Sequence, residues 1–388
     1  VAGHATVTFV WRNTGSVGSC SLRLALLVRK GYLVCSPKHF MKPVTVLTLV
    51  DPVPNSNPVY NAFDRFWLKR INDPRDLPFI YLTIKISLTM VPAGILLFLP
   101  FITGWVWWAV AAVYFFFNNF MFKGPFGLML HCSSHRPLFN TQHAFLNKYL
   151  PWVLSPFFGQ TPETYAAHHL AMHHRENNME NDLSSTMQYQ RDSLRSFLVY
   201  FSKFFFTVIP SLAWYFNERS QVALRNRVIR GEVIFFGACI GLCFISWQAT
   251  VWVFLLPLLI SRIIMMVGNW AQHSFIDAED PGNFYKNSIT CVNTPYNKKC
   301  WNDGYHISHH IKPALHWTLH PEHLQTNLRD YAENKALVFE GIHFLHVWWY
   351  LMNKDYGKLA KRVVNVHGMF ASEQEVIDLM KRRARVIA

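Results

Sequence analysis

Three stretches of this chain carry almost no charge over lengths that few folds tolerate, and they constrain its structure more than any other feature. From Phe79 to Phe101 the sequence is apolar apart from a few hydroxyls and Lys85, and from Trp105 to Phe122 it holds no charged residue, with Pro100, Thr103 and Gly104 between the two. Each run approaches the roughly 20 residues needed to cross a bilayer, so the pair is expected to form a transmembrane hairpin. A third run, Val233 to Gly268, is broken near Ser246 to Thr250. At about 1.5 Å per residue it is too long for one straight span and suits two short ones. The expected fold is therefore an all-α membrane protein with four transmembrane helices in two hairpins. Phe197 to Phe216 is also long enough to cross, but it carries Lys203 and leads into Arg219, Arg225, Arg227 and Arg230, which favour the cytosolic side. An interfacial or re-entrant helix is expected there, because a fifth crossing would place the histidines before and after it on opposite faces.

Composition excludes an ordinary soluble domain: 51% of the 388 residues are hydrophobic and 15% are charged, against about 25% charged in soluble domains. The net charge of +14 sits beside the apolar runs, so it points to anionic lipid headgroups or acidic protein partners and not to nucleic acid. Seven scattered cysteines give neither a disulfide framework nor a zinc pattern, and reduced thiols are expected. Residues 1–40 lack acidic side chains and are read as a leader or a non-native upstream segment. Residues 41–78 read as a Pro/Asn-rich linker and an interfacial stretch carrying Phe63, Phe66, Trp67, Lys69 and Arg70, residues 79–330 as the membrane domain, and 331–388 as a cytosolic helical region. That last region has a capping-box start at Ser372 to Glu375 and a basic tail.

Nineteen histidines make the chain readable. His131 and His135 stand at i and i+4, a spacing that puts two imidazoles on one helix face. His168-His169-Leu-Ala-Met-His173-His174 follows, in which His169 and His173 are expected to share a face while His174 points about 100° away and His168 fits less well. A third cluster places His306, His309 and His310 within one arc, and before it Asn269 and His273 stand one turn apart. A lone histidine near an apolar face is usually a hydrogen-bonded core residue, which suits His143, His343, His346 and His367. Three multi-histidine clusters, all placeable on one side of the membrane, are instead expected to bind metal.

Imidazole suits zinc, iron, copper and nickel alike, so ligand type leaves the metal open. Nine well-placed histidines exceed what one tetrahedral zinc uses, so two metals are expected. A two-metal centre facing a chain-sized apolar environment fits O₂ chemistry on a lipid, since no side chain activates dioxygen unaided. Glu163, Glu176, Glu180, Asp182 and Asp303 are expected to accept from the outer ring nitrogens of the ligands.

The three clusters, in this order and with this pattern of apolar runs, resemble the histidine boxes of the membrane-bound fatty acid desaturase superfamily, over about residues 60 to 330. The resemblance implies a cytosolic helical cap holding two iron ions, O₂ as co-substrate, and His131, His135, His169, His173, His174, His273, His306, His309 and His310 as metal ligands. It also implies a water-mediated contact from Asn269, an acyl-lipid or acyl-CoA substrate entering from the membrane, and electrons from cytochrome b5 or ferredoxin. The implied setting is fatty acid biosynthesis in an endoplasmic reticulum or plastid membrane, with the boxes facing cytosol or stroma. The chain departs from the fused front-end members in starting its third box with His306 in place of Gln and in lacking an HPGG haem motif, so the electron donor is expected to be a separate protein. The same boxes serve alkane and sterol hydroxylases and carotenoid ketolases, which keeps a lipid hydroxylase or ketolase as the alternative, and a zinc-dependent membrane hydrolase behind it.

Overall fold

The computed structural model describes residues 6–13, 16–23 and 41–387. Strands β1 (Thr6–Asn13) and β2 (Ser16–Arg23) pair antiparallel as a unit of their own; the rest of the expected leader, 1–40, lies outside the described residues.

The remainder is mostly helical. Helix α1 (Ala62–Leu68) starts at a reciprocal cap, in which the Asn61 side chain accepts from the Asp64 N–H and the Asp64 carboxylate accepts from the Asn61 N–H at 2.9 Å. After α2 (Leu77–Leu96) the chain turns through Gly104, whose φ of 58° suits glycine, into α3 (Gly104–His135). The Trp107 indole closes that turn by donating to the Leu97 carbonyl at 2.9 Å. Helix α3 contains a π-helical segment, Phe117–Phe122, and runs on past the expected end of its apolar stretch to carry both His131 and His135. A second helical segment, α4, spans 164–176 and carries His169, His173 and His174.

Among the described residues four helices are long and apolar enough to cross a membrane, but they are not the four the sequence suggests. One is α5 (Leu194–Glu218), the stretch expected to form an interfacial or re-entrant helix, which is a 25-residue helix with Pro210 inside it. Its buried residues Phe197, Tyr200, Phe204, Val208 and Leu212 recur every three to four positions, while Leu198, Val199, Phe206 and Trp214 stay exposed on the outside. The run Val222–Gln272 counts as one helical stretch, but Ser246 leaves helical geometry (φ −156°, ψ 100°), inside the expected break. It comprises α6 (Val222–Thr250), a π-turn at Val251–Leu255 and α7 (Leu256–Gln272). Phe235 and Cys239 of α6 pack with Leu258 of α7 across the break. Only 28–33% of each apolar window is buried within the protein, so the exposed Phe101, Phe120, Phe244 and Trp247 need a non-aqueous surround.

The all-α expectation needs a correction. Strands β3 (Ile289–Val292) and β4 (Leu337–Glu340) pair in parallel. Both are short, largely apolar and covered on both faces, a pattern that periodicity cannot separate from a buried helix turn. They form the centre of a second core that also packs α8 (His306–Ile311), α9 (Phe344–Met352) and α10 (Glu373–Arg383). Residues 41–51, read as linker, also pack here: Leu47 joins Val292, Tyr305 and Ile307, and the buried Asp51 accepts from Tyr305 Oη at 2.8 Å. At the start of α10 the Ser372 side chain accepts from the Glu375 N–H, but Glu375 returns to Ala371 in place of Ser372.

Candidate metal centre

Helices α3, α4 and α8 and the residue after α7 deliver nine imidazoles to one place. The donor atoms of His131, His135, His169, His174 and His309 lie within 4.8 Å of one another, and those of His173, His273, His306 and His310 form a second such group. The second histidine cluster divides between the groups differently from the expected i, i+4 pairing. Segment His169–His173 is π-helical, with the His174 N–H bonded to the His169 carbonyl, so residues five apart share a face. His169 and His174 therefore turn to the first group and His173 to the second. In α8 ordinary helical spacing pairs His306 with His310 and sends His309 to the first group. His168 belongs to neither; its ring stands edge-on to Phe204.

The Nε2 atoms face one another in a way that protons cannot satisfy. In the first group His131 meets His309 at 3.0 Å, His309 meets His174 at 2.8 Å, His174 meets His169 at 3.1 Å and His169 meets His135 at 3.1 Å. Each Nε2 offers one hydrogen or one lone pair, so at most two of these four contacts can be hydrogen bonds at once. In the second group His306 Nε2 meets His273 at 3.2 Å and His310 at 3.0 Å. A cation with all the lone pairs turned toward it removes the conflict. With metal–nitrogen bonds of about 2.1 Å, donors at right angles sit about 3.0 Å apart and tetrahedral ones about 3.4 Å. The observed spacings and the five donors of the first group suit a higher coordination number than tetrahedral zinc.

Burial, reinforced by the neighbouring imidazoles, holds His169, His174, His306, His309 and His310 well below the ordinary histidine range, so they are neutral near pH 7 and free to donate lone pairs. The outer nitrogens are held unevenly. His173 Nδ1 donates to Asp182 at 2.7 Å and His273 Nδ1 to the Asn287 carbonyl at 2.8 Å, while Asp303 lies 3.5 Å from His131 Nδ1. The Nδ1 atoms of His306 and His310 are buried without a partner among the described residues. Of the acids expected to serve here, Glu163 is engaged by Lys148, Trp152 and Arg227, and Glu176 by Tyr215 and Arg219. Asn269 Nδ2 donates to the Ser184 carbonyl at 2.8 Å and to Tyr200 Oη at 2.7 Å.

A cleft opens beside the first group, lined by His131, His135 and His309 and walled by Phe79, Trp301 and Trp317. Trp301 and Asn302 carry φ of 54° and 56°, a left-handed geometry that costs a bulky side chain energy and marks a turn held by its surroundings. Their anchors are long-range: Trp301 Nε1 donates to the Pro125 carbonyl, and Asn302 Nδ2 to the carbonyls of Pro52 and Trp317. Sequence reading missed His320, whose Nδ1 shares a proton with Ser308 Oγ at 2.7 Å and whose ring lines the same cleft, although His316 and His320 repeat the i, i+4 spacing. It also missed Tyr165, stacked on His169 with ring centroids 5.5 Å apart; no spacing signals that contact.

The family model described as fatty acid desaturase matches residues 106–341, well over half of the 388. The chain belongs to the fatty acid desaturase family. The matched region of this desaturase-family chain contains all nine histidines and the turn that walls the cleft. No curated protein and no solved structure matches it. The family and the four apolar helices fit a membrane protein acting on a lipid substrate with redox chemistry that draws on an electron donor.

Proposed function

We propose that this chain is an O₂-dependent di-iron desaturase that inserts a double bond into an acyl-lipid or acyl-CoA. The observation that carries this reading is the convergence of nine imidazoles into groups of five and four, whose contacts no set of protons satisfies. His131, His135, His169, His174 and His309 hold one iron. His173, His273, His306 and His310 hold the other, with Asn269 reaching it through water. When bound, the pair supplies O₂ activation and removal of hydrogen from a methylene.

The chain's own residues do the rest. The Asp182 carboxylate and the Asn287 carbonyl fix the tautomers of His173 and His273, so that Nε2 presents its lone pair. Phe79, Trp301 and Trp317 form an apolar wall along the first group, against which an acyl chain lies. Successive methylenes are chemically almost identical, so holding the chain in one register there selects the position attacked. The basic segment from Arg219 to Arg230 is the proposed docking face for a separate acidic electron carrier, cytochrome b5 or ferredoxin.

Parity supports the proposed membrane topology. The histidines at 169–174 and at 273 meet in one site, so the chain between them crosses the bilayer an even number of times. The break at Ser246 with α6 packed on α7 supplies two crossings, which leaves α5 lying at the interface, and α2 with α3 forms the other hairpin. The metal site then faces the cytosol or stroma, in an endoplasmic reticulum or plastid membrane.

The test is the lipid profile of cells expressing the chain, together with the metal content of the purified protein. A product two hydrogens lighter than its precursor and two irons per chain are expected. A product heavier by one oxygen would replace desaturation with hydroxylation, and one stoichiometric zinc would overturn both.

A further inference from the structure

The two groups of histidines share α4 and α8 but differ in their remaining supports. The first takes His131 and His135 from a 32-residue helix. The second takes His173 from a short helical segment and His273 from the residue where α7 has already ended, at φ −116° and ψ 35°. Two of its four outer nitrogens have no partner among the described residues, so its geometry depends on what holds His173 and His273.

Both are held by one loop, residues 178–191. Asp182 of this loop accepts from His173 Nδ1, Thr186 Oγ1 donates to the His273 carbonyl at 2.7 Å, and the Ser184 carbonyl accepts from Asn269 Nδ2. At the end of the loop lies Arg191, fully buried, with no carboxylate partner among the described residues. Its guanidinium instead collects six carbonyl oxygens. Nη1 donates to Thr186, Met187 and Tyr189 at 3.0, 3.0 and 3.2 Å, Nε donates to Ser274 at 3.1 Å, and Nη2 donates to Arg383 at 2.9 Å and to Arg385. These six acceptors come from three segments: the loop itself, the residue next to His273, and the end of α10 with the residues that follow it. The backbone doubles the tie, with the Arg191 N–H on the Ala384 carbonyl at 2.8 Å and the Ile387 N–H on the Met187 carbonyl at 2.9 Å.

A guanidinium has five N–H groups in a fixed planar fork, more donors than any other side chain carries, and here they serve carbonyls of three segments at once. We infer that Arg191 is a positioning residue for the second metal alone: by tying residues 383–387 to the 178–191 loop and to Ser274, it sets the placement of His173 and His273, while the first group stands without it. This inference rests on the two-metal reading of the site.

The test compares full-length wild type with Arg191→Lys, Arg191→Met and Thr186→Val, purified in detergent, loaded with ferrous ion and challenged with a chelator while bound metal is counted. Thr186→Val removes the 2.7 Å hydrogen bond from the loop to the His273 carbonyl together with the longer contacts of Thr186 Oγ1 to the Asn178 amide at 3.4–3.5 Å, and with Arg191→Lys it carries the test if Arg191→Met does not fold. The expected result is two kinetic classes of metal, with one ion bound as in wild type and the other weakened about tenfold to a hundredfold, as losses around metal ligands typically produce. Arg191→Lys is expected to fall between wild type and Arg191→Met. Two metals retained with wild-type release rates, or both metals weakened together, would overturn the inference. A wild-type chain binding fewer than two ions would instead overturn the two-metal reading on which it rests.

Discussion

Asp182→Asn tests the coupling between a single carboxylate and the metal centre. Asp182 is 4% exposed and accepts four hydrogen bonds: from His173 Nδ1 at 2.7 Å and Asn178 N at 2.9 Å on one oxygen, and from Ser184 N at 2.8 Å and Ser184 Oγ at 2.6 Å on the other. Burial pushes its pKa up, but the facing His173 and the bonds from His173 and Ser184 outweigh that and hold it below the usual carboxylate range, so it is ionised near pH 7. Asparagine has the same shape but replaces one oxygen with an amide that only donates. In either orientation one backbone N–H, of Asn178 or of Ser184, then faces a donor, at a cost of about 1–3 kcal/mol. His173 also loses its anionic partner, which weakens a metal site about tenfold to a hundredfold, or about 1.4–2.8 kcal/mol. The folding penalty alone, about 1–3 kcal/mol, stays below a typical folding stability of about 5–15 kcal/mol, so the variant is expected to fold and to bind metal more weakly. Chelator competition gives the affinity and thermal melting of the metal-free protein gives the fold. Asp182→Asn holding both ions with wild-type affinity would refute the claim that this carboxylate fixes His173 for metal binding.

Other perturbations probe different parts of the structure. His309→Ala removes the nitrogen that meets both His131 and His174, so turnover is expected to vanish and metal content to fall; an active, metal-replete variant would contradict the ligand assignment. Gly231→Ala would place a methyl carbon 1.8 Å from the Pro162 carbonyl oxygen, so α6 must separate from the chain leading into α4. A lower melting temperature and poorer metal retention are expected, and an unchanged melt would argue against that close approach. Burial, with help from nearby histidines, lowers His273 and His320 to about 3, while both return to about 6.5 when unfolded. Below about pH 6.5 the unfolded chain therefore binds more protons, and the metal-free protein should lose up to about 1.4 kcal/mol per pH unit for each such histidine as pH falls toward 3. Urea midpoints at pH 7.5 and pH 5 measure this, and an equal or higher midpoint at pH 5 would refute it.

The nine histidines are visible in the sequence because metal ligands must be of one chemical type and close in space, and core packing alone rarely sets imidazoles in repeated clusters at three- to five-residue spacing. Their division into five and four is not visible. It depends on a π-turn at His169–His173, which shifts facing from i, i+4 to i, i+5, and no propensity marks such a turn. The apolar runs are equally plain, yet α3 continues to His135 because helical hydrogen bonding does not stop where hydropathy falls. The strands β3 and β4 escape notice because four-residue buried segments carry no period. Least legible are the supports drawn from distant chain: the hold of Asn302 on Pro52, and the six carbonyls gathered by Arg191. A buried arginine in a sequence reads as a surface charge until its acceptors are known, and main-chain carbonyls, which every residue carries, leave no mark on composition. The residues that hold ligands are thus written in side-chain chemistry, whereas those that hold the loops in place are written in backbone geometry, which becomes readable only once the chain is folded.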